Sequence, residues 1–126
     1  MSAVETKHFT VKEARRTLPL VRQIVRDILN NAFEIRTIAE SLNGQIEENT
    51  EIENLANQIN TFMKELEEIG CTYKDWNFQI GLVDFPSIID EEEVLLCWRS
   101  DEDDIRFYHP LSEGYAGRKP IPENYL

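Results

Sequence analysis

The residues that could do chemistry are few, and most lie late in the chain. Arg99 and Arg106 flank an acidic run, Asp101–Asp104. If that run forms a four-residue loop between two strands, Arg99 lies across from Arg106 and Cys97 across from Tyr108. Like charges directly opposite one another are destabilising. A bound anion such as phosphate or carboxylate between the two guanidinium forks would relieve the repulsion. The plainer reading has Asp101–Asp104, or the Asp90–Glu93 run, neutralise both arginines. A second group is Asp84, His109, Glu113 and Arg118. A histidine beside carboxylates can move protons near neutral pH, which makes Asp84, His109 and Glu113 the catalytic candidates. Arg99, Arg106 and Arg118 are the anion-binding candidates. The plainer reading has Asp84 cap the turn before Pro86 and His109 close an apolar face while donating to a carbonyl.

Other chemistries have less behind them. No hydroxyl or thiol stands in a recognised nucleophile motif. Cys97 beside Trp98 reads as a small core or interface residue rather than a reactive thiol. Zinc would need ligands from Cys71, Cys97, His8, His109 and carboxylates, and no paired spacing supports it, so no metal and no cofactor are expected. Asp101–Asp104 lacks the glycine and the spaced oxygens of a calcium loop. Gly114 to Gly117, followed by Arg118 and Lys119, could wrap a phosphate with backbone donors, but such glycine pairs are common turns. Arg15, Arg22 and Arg26 share one flank of the first helix, suited to an acidic partner or to the acidic second half of the chain itself.

Two long helices must position these groups. Apolar residues at Val11, Ala14, Leu18, Val21, Val25, Ile28, Ala32, Ile35, Ala39 and Leu42 step by three and four, keeping one stripe on a helix face. Thr10 and Glu13 form a capping box with Phe9 placed to staple on Ala14, and Gly44 suits a left-handed helix end. Pro19 removes a donor, so a kink is expected near Thr17–Leu20. A second capping box, Thr50 and Glu53, opens a helix whose stripe is Ile52, Leu55, Ile59, Phe62, Leu66 and Ile69, with Gly70 ending it. The polar link Gln45–Asn49 is short, so the helices form an antiparallel hairpin. The first helix, about 33 residues or roughly 50 Å long, outruns the second. Its Val11–Val21 stripe must therefore pack on the second half of the chain or on another subunit.

The second half reads as strands. Phe78, Ile80 and Leu82 alternate with Asn77, Gln79 and Gly81. Glu93–Arg99 and Ile105–His109 suggest a hairpin, and Thr72–Asp75 a further short strand. The four-residue loop puts Trp98 opposite Phe107 and Leu96 opposite His109. One face is then almost wholly apolar, whereas a five-residue loop mixes Arg99 with Phe107. Residues 110–126 read as a loop-like tail, ordered or semi-ordered, because Tyr115, Ile121, Tyr125 and Leu126 could pack.

The 126 residues suit one domain, and 41% apolar content suffices for a core. The net charge of −11 repels phosphate backbones, so no nucleic-acid partner is expected. Charge is segregated: residues 1–26 carry six basic and two acidic groups, residues 27–69 two and ten, and residues 70–126 five and twelve. The longest apolar run, Val94–Trp98, is far short of the roughly twenty residues of a membrane span. Met1 to His8 lacks a signal-peptide stretch, and two cysteines make no secreted framework. A cytoplasmic protein with no membrane partner is expected.

Phe9-Thr10, Leu18-Pro19, Gly81-Leu82-Val83-Asp84-Phe85-Pro86, Leu96-Cys97-Trp98-Arg99, Ile105, Phe107-Tyr108-His109 and Gly114-Tyr115-Ala116-Gly117-Arg118 follow in this order. Over residues 9–120 the chain resembles the domain of unknown function 2203 family of small bacterial proteins. In that family's pattern the aromatic before the histidine is often tryptophan; here it is Tyr108. The resemblance implies a long helical hairpin and a C-terminal strand region. It implies no activity. It points to Asp84, Arg99, His109, Gly114, Gly117 and Arg118 as motif positions.

The expected fold is α+β in one domain, 1–126: a helical hairpin over 9–69, a small antiparallel meander over 70–109 and the tail. Sixteen apolar seam positions have only two helices to share them. A homodimer is therefore expected, with Val25, Ile28, Ala32, Ile35, Leu55, Ile59, Phe62 and Leu66 at its interface. The favoured function is a non-catalytic oligomerising interaction module. The alternative is a protein that binds a small molecule or anion, with or without catalysis, at a site between the sheet and helix one.

Overall fold

The computed structural model describes residues 7–43, 45 and 47–126. Met1–Thr6 and the expected helix-ending Gly44 lie outside the described residues. The order is α1 (Val11–Ser41), α2 (Thr50–Ile69), β1 (Thr72–Tyr73), β2 (Leu82–Ile89), β3 (Glu92–Arg99), β4 (Phe107–Pro110) and β5 (Lys119–Pro120), with single 3-10 turns at Tyr115–Gly117 and Glu123–Tyr125. The five strands form one antiparallel meander in chain order. This is the α+β hairpin-and-meander fold expected from the sequence.

The helices begin where their side chains satisfy the first free N–H groups. Thr10 Oγ1 accepts from Glu13 N at 3.1 Å, and Glu13 Oε1 accepts from Thr10 N at 3.0 Å, the reciprocal pair of a capping box. α1 runs through Pro19 as one element. At α2 the capping residue is Asn49, not Thr50; its Oδ1 accepts from Ile52 N at 2.9 Å. Gly70, at φ 110°, ends α2 in the left-handed conformation that glycine adopts freely. Among the described residues no helix is long and apolar enough to cross a membrane.

The overhang of α1 is covered by the sheet. Val11, Ala14, Leu18 and Val21 share one core with Val83, Phe85, Leu96, Trp98 and Ile105. Phe9 meets Phe85 edge to face at 5.4 Å, and its backbone N donates to Pro86 O at 2.7 Å. Pro86 is thus tolerated inside β2, because it lies beyond the end of β1, where only Phe9 borders the strand. A Cβ on Gly81 would overlap Val25 Cγ1, so this crossing of α1 over the sheet needs glycine. Arg15 donates to Ile105 O at 2.9 Å and Arg22 to Asp103 O at 2.9 Å. The basic flank of α1 therefore meets the acidic 101–104 segment of its own chain. The seam residues named above as a dimer interface are in this intrachain core or packed against it. Val25, Ile28, Ala32, Leu55, Ile59 and Leu66 are buried, and Ile35 and Phe62 partly so.

Two sequence expectations need correction. The alternation over Asn77–Leu82 is a strand only at Leu82, where β2 begins; residues 77–81 are not a strand. Asp75 accepts from the N–H groups of Asn77, Gln79 and Ile80 and folds the segment into a loop. Phe78 there has φ 54° and stacks on Tyr73 at 5.6 Å. Side-chain oxygens that collect backbone donors compete with strand pairing. The second correction is register. Cys97 pairs with Phe107 and Leu95 with His109, one residue off the expected pairing, so Arg99 does not face Arg106 across a ladder. Seven residues separate the strands. Glu102 takes over this turn: its N donates to Arg99 O, its O accepts from Trp98 Nε1, and its carboxylate accepts from Arg99 N. Ile105 reaches the core while Phe107 joins the outer face, so the chain bends between them. The tail also adds β5, paired to β4.

The β2–β3 turn is Asp90-Glu91, with both residues at positive φ, 53° and 67°. Two-residue hairpin turns of this kind favour glycine, because a side chain in the left-handed region costs about 1 kcal/mol or more. Glu91→Gly is expected to raise Tm by roughly 2–4 °C in a thermal melt. An unchanged or lower Tm would count against this turn geometry.

Candidate functional site

Strand alternation gives the sheet two faces. Val83, Phe85, Ser87 and Ile89 of β2, with Val94, Leu96 and Trp98 of β3, face the helices and are buried. The alternate set, Asp84 on β2 and Cys97 on β3, faces away. Yet Asp84 is only 5% exposed and Cys97 only 1%. The tail shields this outer face: Leu111, Glu113, Gly114 and Tyr115 wall a cavity of about 260 Å³ together with Lys74, Leu82, Asp84, Leu95, Cys97 and His109.

Three neighbouring strands deliver the polar groups. Asp84 and Cys97 are direct cross-strand partners. His109 stands opposite Leu95, two residues from Cys97 and on the same face. Its Nε2 lies 3.3 Å from both carboxylate oxygens of Asp84. Its Nδ1 lies 2.9 Å from Pro110 O. A carbonyl can only accept, so Nδ1 carries the proton in this contact and Nε2 is presented to Asp84 and Cys97. One oxygen of Asp84, Cys97 Sγ and one nitrogen of His109 all lie within 4.8 Å of one another.

Burial sets the electrostatics. It pushes the Asp84 carboxyl above the usual carboxylate range, opposed by the neighbouring His109. Burial, with the Asp84 charge adding to it, pushes the Cys97 thiol up to about 11. Such a thiol is protonated at neutral pH and is a poor nucleophile by itself.

The arginines play other parts. Arg99 pairs with Asp101 at 2.6 Å and reaches Tyr115 OH at 2.5 Å. Arg106 pairs with Asp103 at 3.2 Å on the surface. Arg118 pairs with Glu102 in a largely buried contact, its guanidinium 4.1 Å from the Phe107 ring centroid and 4.6 Å from that of Tyr115. Each of the three is neutralised by a carboxylate of the 101–104 run, as the plainer reading of the sequence had it for Arg99 and Arg106. Of the six candidate residues, Asp84, His109 and Glu113 line the cavity, Arg118 borders it at Cys97, and Arg99 and Arg106 do not enter it. The site lies on the sheet face turned away from the helices, not between the sheet and α1.

Sequence reasoning set Cys97 aside as core and passed over Lys74. The missed signal was the alternation Val83, Phe85, Ser87, Ile89. It marks 82–89 as a strand and places Asp84 on its opposite face, rather than in a turn before Pro86.

No curated protein and no solved structure matches the chain. A family model described as "Uncharacterized conserved protein (DUF2203)" matches residues 7–121. That span contains both helices, all five strands and every residue of the cavity, and the chain belongs to the domain of unknown function 2203 family.

Proposed function

We propose that this protein binds a small polar ligand in the outer-face cavity, with Asp84, Cys97 and His109 as the contact groups. One observation carries the reading: three almost fully buried polar side chains from three strands converge on a single cavity. Buried polar groups are costly unless a partner offsets the cost. Polar groups converging on a concave cavity are the general signature of a ligand site. The assembly-module reading has less support, because most of the seam it rests on is already buried within the chain's own core.

The test is amide-resolved NMR of the full chain with acetate, succinate, inorganic phosphate, ethanolamine and a divalent metal salt, each added alone. At least one probe is expected to shift the amides of Asp84, Cys97 and His109. Leu95→Trp, which fills the cavity, is expected to abolish those shifts while leaving the rest of the spectrum folded. If no probe moves these amides, the reading is wrong.

A further inference from the structure

We propose that the occupant of this cavity is a divalent transition-metal ion of the zinc class, bound by Asp84, Cys97 and His109 with its fourth position facing the cavity. The proposal rests on the ligand-site reading above and names the ligand.

Donor chemistry is the first argument. A carboxylate oxygen, a thiolate sulfur and an imidazole nitrogen are a mixed set that suits a borderline-soft ion. Calcium and magnesium ask for six or more oxygens, which three such side chains cannot supply. Spacing is the second. Metal–ligand bonds of about 2.0–2.3 Å in a tetrahedron put donor atoms about 3.3–3.8 Å apart. His109 Nε2 is already 3.3 Å from Asp84, and all three donors fall within 4.8 Å.

Orientation is the third argument. Metal-binding histidines commonly donate their other ring N–H to a carbonyl or carboxylate, which fixes the ring. His109 does this to Pro110 O. The donors also stand on three adjacent strands of one sheet, so their spacing is held by ladder hydrogen bonds rather than by a loop. On binding, the ion takes the place of the thiol proton of Cys97, which leaves to solvent as the metal–sulfur bond forms.

Three protein ligands and a fourth position against a cavity match a reactive site rather than a closed structural one. Lys74 and Glu113, both exposed on the wall of that cavity, and Arg118, whose Nη1 lies 3.9 Å from Cys97 Sγ, are the charged side chains beside it.

The experiment is a Co2+ titration of the metal-free full chain, followed by Zn2+. One equivalent of Co2+ is expected to bind, with a thiolate-to-metal charge-transfer band and the visible bands of a four-coordinate ion, and Zn2+ should bleach both. Cys97→Ser should remove the charge-transfer band. Asp84→Asn and His109→Gln should each weaken binding by about 100-fold or more, since even residues that only support a metal ligand cost 10–100-fold when changed. Cys71→Ser is the control. Cys71 is buried beside Leu66 O and away from the cavity, so the band should survive.

Asp84→Asn keeps the size and shape of the side chain and decides the matter if another variant fails to fold. No Co2+ binding, or a band that persists in Cys97→Ser, would overturn the proposal. If the metal salt leaves the cavity amides unmoved while another probe shifts them, the metal inference fails and the ligand-site reading stands. If nothing shifts them, both fail.

Discussion

Trp98→Ala is expected to remove about 3–5 kcal/mol of stability, a large share of what a domain of this size commands. Trp98 is fully buried on β3, at the centre of the core that joins sheet to helices. The Arg22 guanidinium lies 5.7 Å from its ring centroid, and Nε1 donates to Glu102 O at 3.0 Å. Truncation leaves a cavity that helices and strands cannot both collapse into. It also frees the Glu102 carbonyl that organises the 100–106 turn, worth about a further 1 kcal/mol. Urea unfolding is the measurement. The midpoint should fall sharply with little change in slope. A loss under about 1 kcal/mol would contradict a single core shared by the hairpin and the sheet.

The second large effect belongs to Arg118. Its side chain is 13% exposed and that of its partner, Glu102, 14%. Arg118 Nη1 donates to Glu102 Oε1 at 3.0 Å, Nη2 donates to Oε2, and the planar group lies between the rings of Phe107 and Tyr115. Glu102 Oε1 also accepts from Arg99 N at 2.8 Å. Arg118→Met strands a largely desolvated carboxylate that cannot move away without giving up that contact. Removing one partner of a buried pair costs about 3–5 kcal/mol, and partial exposure reduces this to about 2–3. Arg118→Lys should recover less than half, because an ammonium lacks the fork and the flat face. The double variant Arg118→Met with Glu102→Gln should cost less than the two single changes added together, by about 1–2 kcal/mol. Amide exchange in residues 111–118 should quicken in Arg118→Met, since this arginine ties the tail to the sheet. Equal stability of the lysine variant and the parent would show that the paired and stacked geometry contributes nothing.

The helices were legible because their signals are local. Thr10 and Glu13 are three residues apart and cap one another; the three-four steps of Val11 to Leu42 lie on one face of one element. Such features need no knowledge of what the helix packs on. The exchange of Thr50 for Asn49 at the second cap shows the limit even there, since neighbouring short polar side chains can each offer an oxygen to the same free N–H groups. The pairing of Arg99 with Asp101 and of Arg106 with Asp103 was also foreseeable, because opposite charges so close in sequence meet in almost any turn.

The site was legible only in part. Asp84, His109 and Glu113 were singled out by residue type. Their convergence depended on a register that local sequence decided wrongly. An apolar face running from Val94 through Trp98 to Ile105 and His109 satisfies simple alternation, and so selects the four-residue loop. The chain instead spends seven residues there, because Glu102 and Trp98 hydrogen-bond across the turn and the bend after Ile105 lets that residue enter the core alone. One residue of slip turns His109 from the helix side to the outer face, where it meets Asp84 and Cys97.

What the sequence determined by itself, then, is the α+β plan, the helix positions and the family, all of which rest on periodicity, capping and the order of short motifs. What only the tertiary structure decided is which face His109 occupies, that the overhang of α1 packs on its own sheet, and that the tail folds back to wall a cavity and add a fifth strand. The physical reason is common to all three. Strand register and the burial of a second sheet face are set by contacts between residues distant in sequence, such as Arg118 with Glu102 and Phe9 with Pro86, whose energies no local period encodes.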